Sequence, residues 1–365
     1  MFLHARVLML GEGLTSKAVK DFIETHSGEV HVLADLNEDI ALKQFDYIVT
    51  SPGIPFDHPI FKKIALEHKT YLSDIDLFCM VNQTPTIAVT GTNGKTTVTK
   101  MIQAGLESHD LNVRVGGNQE VSCLELLNHH CDVYVIELSS FQLFHSENLS
   151  FDIGLVTNLD TDHLSWHQTV EHYHQSKMKL KRFSKKFMFQ EKSPLPVDEQ
   201  NSSIAAKACD ALGYSVSKTL LQQIKLPHRM EEFNLNGIKW INDSKATNVS
   251  ATCSALATFT DYHRLFVILG GTLKGQDDFF RLKAYAGENV FFLAYGQAKN
   301  SICSEIDVLH EEDSLKSLMD WLMKKVQQGD TILLSPGCSS FDQFRDYTER
   351  GIFFKHYARQ QSKIL

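Results

Sequence analysis

Hydrophobic and polar positions along this chain alternate between short apolar runs and amphipathic stretches. Apolar runs such as residues 6–10 and 133–138 have the length of buried strands. Residues 17–25 place apolar side chains every three to four positions and predict a helix. Further strands are predicted at residues 30–34, 47–50, 86–90, 153–159, 265–269 and 331–334, and further helices at residues 98–106, 177–186 and 341–359. This alternation predicts an α/β fold.

The pattern falls into three blocks, each of which begins with a strand. We place them at residues 1–83, 84–225 and 226–365, because 365 residues exceed what one hydrophobic core usually serves. In the first block a strand, the glycine turn at residues 11–16 and a helix follow one another, as in a Rossmann-type unit. We therefore expect three domains, of which the first and the last are Rossmann-like.

Composition narrows the class of protein. Hydrophobic residues make up 43% of the chain, and a net charge of −8 without a basic block argues against nucleic acid as a partner. The seven cysteines are scattered without a C-x-x-C pair, so we expect neither a zinc site nor disulfides. No stretch has the character of a signal peptide or a membrane span. We expect a cytoplasmic monomer that does not insert into membranes.

The most informative segment is TIAVTGTNGKTT, in which a strand enters a glycine turn ending in Gly-Lys-Thr. The glycines let backbone N–H groups surround an anion, Lys95 adds a positive charge, and the Thr96 hydroxyl is placed to bind Mg²⁺. The segment predicts a nucleoside triphosphate as ligand and makes the central block a P-loop ATPase-type domain. The residues assigned to its phosphates are Gly91, Thr92, Asn93, Gly94, Lys95, Thr96 and Thr97.

Candidate metal ligands follow two other strands of the central block. Glu137 lies at the end of its strand, where a carboxylate beside a phosphate loop would hold Mg²⁺, and the alternative is an ordinary solvated strand end. His163 lies among acids after the strand at residues 153–159, although a histidine is more often structural than a ligand. Lys177 begins the basic segment 177–186, for which the residue pattern alone favours a solvated helix face.

The third block repeats the order of strand, glycine turn and cation. After the strand predicted at residues 265–269, the chain reads GGTLK and ends this motif in Lys274. Near the C terminus, a small-residue turn at residues 335–340 leads into the helix predicted at residues 341–359. Because a helix N-terminus attracts negative charge, this turn is predicted to bind an anion through backbone N–H groups.

Ten short motifs give the chain a specific resemblance. They are GEGLTS at residues 11–16, SPGI at 51–54, GTNGKTT at 91–97, GGN at 116–118, ELSSFQL at 137–143, DH at 162–163, LPHR at 226–229, NDSKATN at 242–248, GGTLKG at 270–275 and SPGCSSFDQF at 335–344. In order and spacing they resemble the motifs of the Mur ligases, which couple ATP cleavage to amide-bond formation in cell-wall precursors. NDSKATN and SPGCSSFDQF favour the D-glutamate-adding members over relatives that add alanine, diamino acids or dipeptides.

The resemblance implies the reaction and its ligands. ATP, with two Mg²⁺ ions, would convert the carboxylate of UDP-N-acetylmuramoyl-L-alanine into an acyl phosphate, which the amine of D-glutamate then attacks. Thr96 and Glu137 would bind one Mg²⁺, while His163 and Lys177, if the lysine is carbamylated, would support the second.

The resemblance also implies residue roles beyond the metals. The residues matched to catalysis are Lys95, His163, Lys177 and Lys245; those matched to ATP outside the loop are Asn201, Arg229 and Asp243. The residues matched to D-glutamate are Thr247, Lys274, Ser340, Phe341 and Tyr347; those matched to the UDP precursor are Leu14, Thr15, Asp35, Gly53 and Asn118.

Two departures from the family pattern keep other functions open. Only about fifty residues separate Lys177 from Arg229, which predicts a shortened central domain with part of its sheet missing. In the element near the adenine, Asn201 is retained but the second asparagine is Ile204. The chain could therefore be a non-catalytic descendant that binds nucleotide or precursor. A third alternative is another Mur-type ligase or a folylpolyglutamate synthetase relative, against which the C-terminal motifs count.

Overall fold

The computed structural model describes residues 2–118, 121–191, 193, 195–275 and 278–361. These residues form three sheets. They group into two compact units: the first consists of Met1–Asp160 and Trp166–Ile224, and the second of Thr161–Ser165 and Lys225–Leu365. Parallel strands joined by helices dominate all three sheets, which confirms the predicted α/β fold. Within the described ranges, no helix combines the length and the apolar character needed to cross a membrane.

The first sheet has three parallel strands in the order β2-β1-β3. Its side chains alternate between two cores: Val7 and Met9 contact the core shared with the central sheet, while Leu8 and Leu10 contact a separate core. Burial on both faces explains why β1 is apolar after its exposed first residue, Arg6. The elements are β1 (Arg6–Leu10), α1 (Leu14–Thr25), β2 (Glu29–Leu33), β3 (Tyr47–Thr50), α2 (Pro59–Leu66) and α3 (Asp74–Val81).

The central sheet has five parallel strands in the order β5-β6-β4-β7-β8. Its elements are β4 (Thr86–Thr90), α4 (Lys95–Glu107), β5 (Val113–Gly117), α5 (Cys123–Leu126), β6 (Val133–Glu137), α6 (Ser140–His145), β7 (Phe151–Val156), α7 (Leu164–His167), α8 (Val170–Met178), β8 (Ser184–Phe189), α9 (Val197–Ala211) and α10 (Lys218–Gln222). Ala88 of β4 lies in the core shared with the first sheet, which joins the two sheets in one unit.

The basic helix predicted at residues 177–186 is wrong. Helix α8 ends at Met178, a single 3-10 turn covers Lys179–Lys181, and strand β8 follows. Because β8 is an edge strand, its lysines at positions 185 and 186 are exposed to water without interrupting the sheet. The density of lysines in this segment therefore reflects an edge strand and not a helix face.

The third sheet has six strands in the order β13-β12-β11-β14-β10-β9, and it is parallel except for the hairpin between β9 and β10. Along β11 the side chains alternate between two cores, with Val267 in one and Ile268 in the other. Its elements are β9 (Glu231–Leu235), β10 (Ile238–Asn242), α11 (Val249–Leu256), β11 (Leu265–Gly270), β12 (Val290–Tyr295), α12 (Lys299–Glu305), β13 (His310–Glu312), α13 (Leu315–Leu322), β14 (Thr331–Leu334) and α14 (Tyr347–Gln361).

The C-terminal helix α14 begins six residues later than the sequence predicts. The Asp346 carboxylate accepts a hydrogen bond from the Glu349 N–H at 2.8 Å, so the helix starts after Asp346. Before it, the Ser340 carbonyl accepts bonds from the N–H groups of Gln343 and Phe344 and forms a local turn. The turn at residues 335–340 does not lead directly into a helix, so the helix N-terminus predicted to follow it is wrong, while binding of an anion by the turn stays a prediction.

Candidate functional site

The phosphate loop of the first unit connects β4 to α4. Gly94 precedes the helix in a left-handed conformation with φ of 82°, and Gly91 has φ of 148°. A Cβ atom on Gly91 would lie 1.9 Å from Thr157 Oγ1, so only glycine fits there. The loop thus delivers its backbone to the N-terminus of α4, where N–H groups and the helix dipole favour an anion.

Two polar residues directly after β7 hold this loop in place. Thr157 Oγ1 donates to the Asn93 carbonyl at 2.6 Å. The Asn158 side chain accepts from the Asn93 N–H at 2.9 Å and donates to the Asn93 carbonyl at 3.0 Å. Sequence analysis missed both residues because it extended the strand to residue 159, whereas β7 ends at Val156. Their signal was the change from apolar to polar side chains beside the loop strand β4, which pairs with β7.

Two lysine side chains donate to the same carbonyl of the loop. Lys95 Nζ donates to the carbonyls of Gly91 and Thr92, both at 2.9 Å. Lys177 Nζ donates to the Gly91 carbonyl at 2.9 Å and is only 1% exposed. The solvated position that the residue pattern favoured for Lys177 is therefore wrong. Both lysine side chains therefore meet at the Gly91 carbonyl, at the start of the phosphate loop.

Helix α8 brings Lys177 to the loop together with an aromatic residue. Tyr173 lies one helical turn earlier, and Lys177 Nζ is 4.6 Å from the centre of its ring. The Tyr173 hydroxyl donates to Thr92 Oγ1 at 3.2 Å. Tyr173 therefore contacts both the loop and the lysine, and sequence analysis did not identify it.

Glu137 ends β6, which pairs with β4, so its carboxylate lies at the same edge of the sheet as the loop. It is 3% exposed, and the Asn118 side chain donates to its Oε1 at 3.2 Å. The Glu137 carboxylate and the Thr96 hydroxyl are oxygen ligands of the kind that Mg²⁺ prefers. Among the described residues no group of three or more His, Cys, Asp or Glu could hold a metal ion.

The two residues of the adenine element lie in different surroundings on α9. Asn201 lies against the loop, because its Oδ1 would be 3.0 Å from a Cβ atom on Gly94. Ile204 is 5% exposed and belongs to the hydrophobic core with Ile87 and Val98. The structure thus places Asn201 beside the phosphate loop and Ile204 in the core beneath it.

Four of the five residues assigned to the UDP precursor lie at one edge of the first sheet. Leu14 and Thr15 begin α1 after β1, Asp35 follows β2, and Gly53 follows β3. Because the carboxyl ends of parallel strands meet at one edge of a sheet, these four residues lie along the same edge. The fifth, Asn118, follows β5 in the central sheet.

In the second unit, Lys274 and Thr247 come together around a buried carboxylate. Lys274 Nζ donates to Thr247 Oγ1 at 3.1 Å and lies 3.4 Å from Asp162 Oδ1. Asn248 Nδ2 donates to Asp162 Oδ2 at 2.9 Å. Burial alone would raise the pKa of Asp162, but the charges of Lys274 and His163 hold that pKa below its ordinary value. Two residues assigned to D-glutamate thus form one polar cluster with an anion.

The other residues assigned to D-glutamate and to catalysis lie around the C-terminal turn. Lys245 Nζ is 4.0 Å from the centre of the Tyr347 ring, a cation–π contact. Ser340 is buried, whereas Phe341 is 72% exposed. An exposed phenylalanine beside polar residues offers apolar surface to a ligand, which is compatible with the assignment of Phe341.

Asp243, which is assigned to ATP, is a buried carboxyl group. It accepts hydrogen bonds from Ser335 Oγ at 2.9 Å and from the Met230 N–H at 3.3 Å. Burial raises its pKa to about 7, against the opposing charges of Arg229 and Arg350. Near neutral pH, burial therefore keeps a substantial fraction of this group protonated, whereas an exposed aspartate would be ionised.

This pKa predicts that Asp243→Asn stabilises the protein at alkaline pH. Because the pKa in the folded state lies above its unfolded value, the favourable contribution is complete below about pH 4 and is lost as the pH rises through about 7. The neutral amide avoids that loss. At pH 8 we expect at least about 1 kcal/mol of stabilisation, or roughly 2–4 °C in Tm, in thermal unfolding. The gain should vanish near pH 4, and an equal gain at both pH values would contradict the assignment.

Comparisons with known proteins bear on the whole chain. The family model described as Mur ligase middle domain matches residues 89–250, and the one described as Mur ligase, glutamate ligase domain matches residues 228–338. The UDP-N-acetylmuramoylalanine–D-glutamate ligase of Francisella philomiragia is 31% identical over 403 residues, covering 96% of each chain. The ligase of the same name from Escherichia coli (strain K12) is 31% identical over 394 residues, covering 93% of this chain and 88% of the relative.

Solved structures agree on the fold. The MurF ligase from Thermotoga maritima in complex with ADP matches with a TM-score of 0.65 at 13% identity, covering 100% of this chain and 96% of that one. A pseudomurein peptide ligase type C from Methanothermus fervidus matches with a TM-score of 0.62 at 14% identity, covering 98% and 99%. At such identities the likeness bears on the fold alone, and it confirms the predicted fold class.

Proposed function

Because the chain belongs to the Mur ligase family, we propose that it joins D-glutamate to UDP-N-acetylmuramoyl-L-alanine in an ATP-dependent step of peptidoglycan precursor synthesis. The observation that carries this proposal is the similarity to D-glutamate ligases along 96% of both chains. The phosphate loop with its two lysines supports the use of ATP. The cluster of Lys274 and Thr247 supports an amino-acid substrate with an additional carboxylate.

The reaction proceeds in two balanced steps. A carboxylate oxygen of the L-alanine end attacks the γ-phosphorus of ATP, and the bond from this phosphorus to the oxygen that bridges it to the β-phosphate breaks. ADP departs, and the substrate carboxylate has become an acyl phosphate. The D-glutamate amine then attacks the carbonyl carbon, phosphate leaves with the bonding electrons, and the nitrogen loses a proton to give the amide. In the first step Lys95 neutralises charge on the transferred phosphoryl group, as does the N-terminus of α4.

We assign Mg²⁺ to Thr96 and Glu137, whose oxygens lie at the phosphate edge of the central sheet. When bound there, the ion would neutralise the charge that develops on the phosphate oxygens. The roles of Asn201, Arg229 and Asp243 in binding ATP are part of the same proposal. The second Mg²⁺, with His163 and a carbamylated Lys177, remains a prediction from the resemblance.

The two organic substrates are assigned to separate parts of the chain. The UDP precursor would bind at the edge of the first sheet formed by Leu14, Thr15, Asp35 and Gly53. Asn118, which follows β5 of the central sheet, is assigned to the same ligand. D-Glutamate would bind with Lys274 and Thr247, and Ser340, Phe341 and Tyr347 complete its assigned set. Lys245 would assist at the reacting centre. We also propose a cytoplasmic monomer, and seven cysteines scattered without a C-x-x-C pair support a reducing compartment.

Phosphate release from ATP, measured in the presence of UDP-N-acetylmuramoyl-L-alanine, tests the function. D-Glutamate, L-glutamate, D-alanine and a diamino acid are compared in parallel, and the amide product is identified by mass. We expect release that requires both the precursor and D-glutamate. Release with a different amino acid would indicate another Mur-type ligase.

The same experiment addresses the non-catalytic alternative. If no amino acid supports phosphate release while the protein still binds ATP or the precursor, the chain is a binding protein and the proposed activity is wrong. The intact loop, with Lys95 and Lys177 at the Gly91 carbonyl, favours activity.

A further inference from the structure

Arg350, which the sequence does not single out, is completely buried in the first turn of α14. Its guanidinium donates only to neutral oxygens among its hydrogen-bond partners. These are the Ser244 hydroxyl at 2.9 Å, the Ser244 carbonyl at 2.8 Å, the Cys338 carbonyl at 3.1 Å, the Ser339 carbonyl at 3.2 Å, the Tyr295 hydroxyl at 3.4 Å and the Gly270 carbonyl at 3.5 Å.

These acceptors lie at the carboxyl ends of four adjacent strands. Ser244 follows β10, Gly270 ends β11, Tyr295 ends β12, and the turn with Cys338 and Ser339 follows β14. The Arg350 guanidinium thus contacts the loops after β10 and β14 and the last residues of β11 and β12, from which the next two loops begin. The same loops contain Asp243, Lys245, Thr247, Lys274 and Ser340, the residues assigned to ATP, catalysis and D-glutamate.

The loops also depend on one another through backbone contacts that leave little room. The Thr272 N–H donates to the Ser339 carbonyl at 2.8 Å, and the Gly337 N–H donates to the Ala246 carbonyl at 2.9 Å. Gly271 has φ of 130°, and a Cβ atom there would lie 2.0 Å from the Ser339 oxygen and 3.1 Å from the guanidinium of Arg350. The paired glycines after β11 therefore allow the loops and Arg350 to approach closely.

A buried arginine is costly unless all its donors are satisfied, and the planar fork of the guanidinium suits several fixed acceptors at once. We infer that Arg350 is the positioning residue that fixes the loops after β10, β11 and β14 in the geometry that binds the amino-acid substrate. Because the loops are held before substrate arrives, D-glutamate does not lose affinity to loop ordering. The inference rests on the proposed function for the identity of the substrate.

The test uses Arg350→Lys, which retains the charge but cannot span the acceptors. We expect the KM for D-glutamate to rise about tenfold or more, because several charge-assisted hydrogen bonds are lost. The KM for UDP-N-acetylmuramoyl-L-alanine should stay within about twofold, since its assigned residues belong to the first unit. Hydrogen exchange should accelerate at backbone amides of residues 245–247, 270–272 and 337–339.

Arg264→Lys is the matched control in the same unit. Arg264 lies before β11, at the opposite end of the sheet, and makes a two-bond ion pair with the buried Asp330 at 2.8 and 2.6 Å. Its replacement should lower Tm without changing the KM for D-glutamate or the exchange of the three loops. A general loss of stability would affect both variants alike, whereas a positioning role affects only the first.

Ser244→Ala removes one acceptor of Arg350, together with the hydrogen bond that the Ser244 hydroxyl donates to the Tyr347 carbonyl at 2.8 Å, and keeps the inference testable if Arg350→Lys does not fold. It should raise the KM for D-glutamate about threefold or more and accelerate exchange in the loops. Folded Arg350→Lys or Ser244→Ala protein with unchanged exchange and an unchanged KM for D-glutamate would overturn the inference. Wild-type protein without D-glutamate-dependent activity would instead overturn the proposed function, and the exchange measurement would still decide the role of Arg350.

Discussion

Replacing Lys95 with alanine should lower ATP turnover by about a hundredfold to a thousandfold, because one charged donor at the transferred phosphoryl group is lost. In the structure, Lys95 Nζ donates to two loop carbonyls at 2.9 Å. A phosphate oxygen would replace these acceptors, so the charge is already held beside the phosphate position. The measurement is phosphate release at saturating concentrations of all substrates.

Lys100→Ala is the matched control for this variant. Lys100 lies five residues after Lys95 on the same helix, and its ammonium donates to Gln103 Oε1 at 3.0 Å. We expect wild-type turnover for Lys100→Ala and an unchanged Tm for Lys95→Ala. Wild-type turnover in folded Lys95→Ala would show that this lysine does not act on ATP.

The central strands could be predicted from sequence because both of their faces are buried. Ile87 and Val89 of β4 lie in one core and Ala88 lies in another, so three successive residues of the strand are apolar. The phosphate loop could also be predicted from the sequence, because Gly91 and Gly94 have backbone conformations that favour glycine. Local sequence contains the cause of each of these features.

Lys177 shows what local sequence does not contain. Its burial depends on the Gly91 carbonyl, a partner 86 residues away. The lysines that follow it lie on the 3-10 turn Lys179–Lys181 and on the edge strand β8, where residues 185 and 186 are both exposed. Over so short a range, this run of charges resembles a charged helix face. A pattern of charges therefore predicted a helix where the tertiary structure has a helix end and a strand.

Arg350 and the loop-holding residues Thr157 and Asn158 were missed for the same reason. Arg350 bonds to Ser244 across 106 positions, and Thr157 bonds to Asn93 across 64. Such side chains connect loops that are far apart in sequence and come together only in the folded chain. No motif of a few residues specifies such a contact. The glycines at these contacts are the part of the signal that the local sequence does contain. Gly271 and Gly91 lie where a Cβ atom would clash with the neighbouring loop.

Lys274→Met should raise the KM for D-glutamate about 10–100-fold, because a substrate carboxylate would lose a charge-assisted partner. In the same variant the buried Asp162 loses a cation at 3.4 Å, so Tm should also fall. The control variant Lys299→Met, which breaks the ion pair of the partly buried Lys299 with the exposed Asp313, should change neither quantity substantially.

The double variant Asp162→Asn with Lys274→Met separates the two effects of Lys274. Removing the buried carboxylate should restore most of the lost stability, since no uncompensated charge remains. The KM for D-glutamate should stay high, because the ammonium that would bind the substrate is still absent. Steady-state kinetics and thermal unfolding of both variants measure these outcomes. If the double variant recovered the wild-type KM, Lys274 would act only by neutralising Asp162, and its role in binding D-glutamate would be wrong.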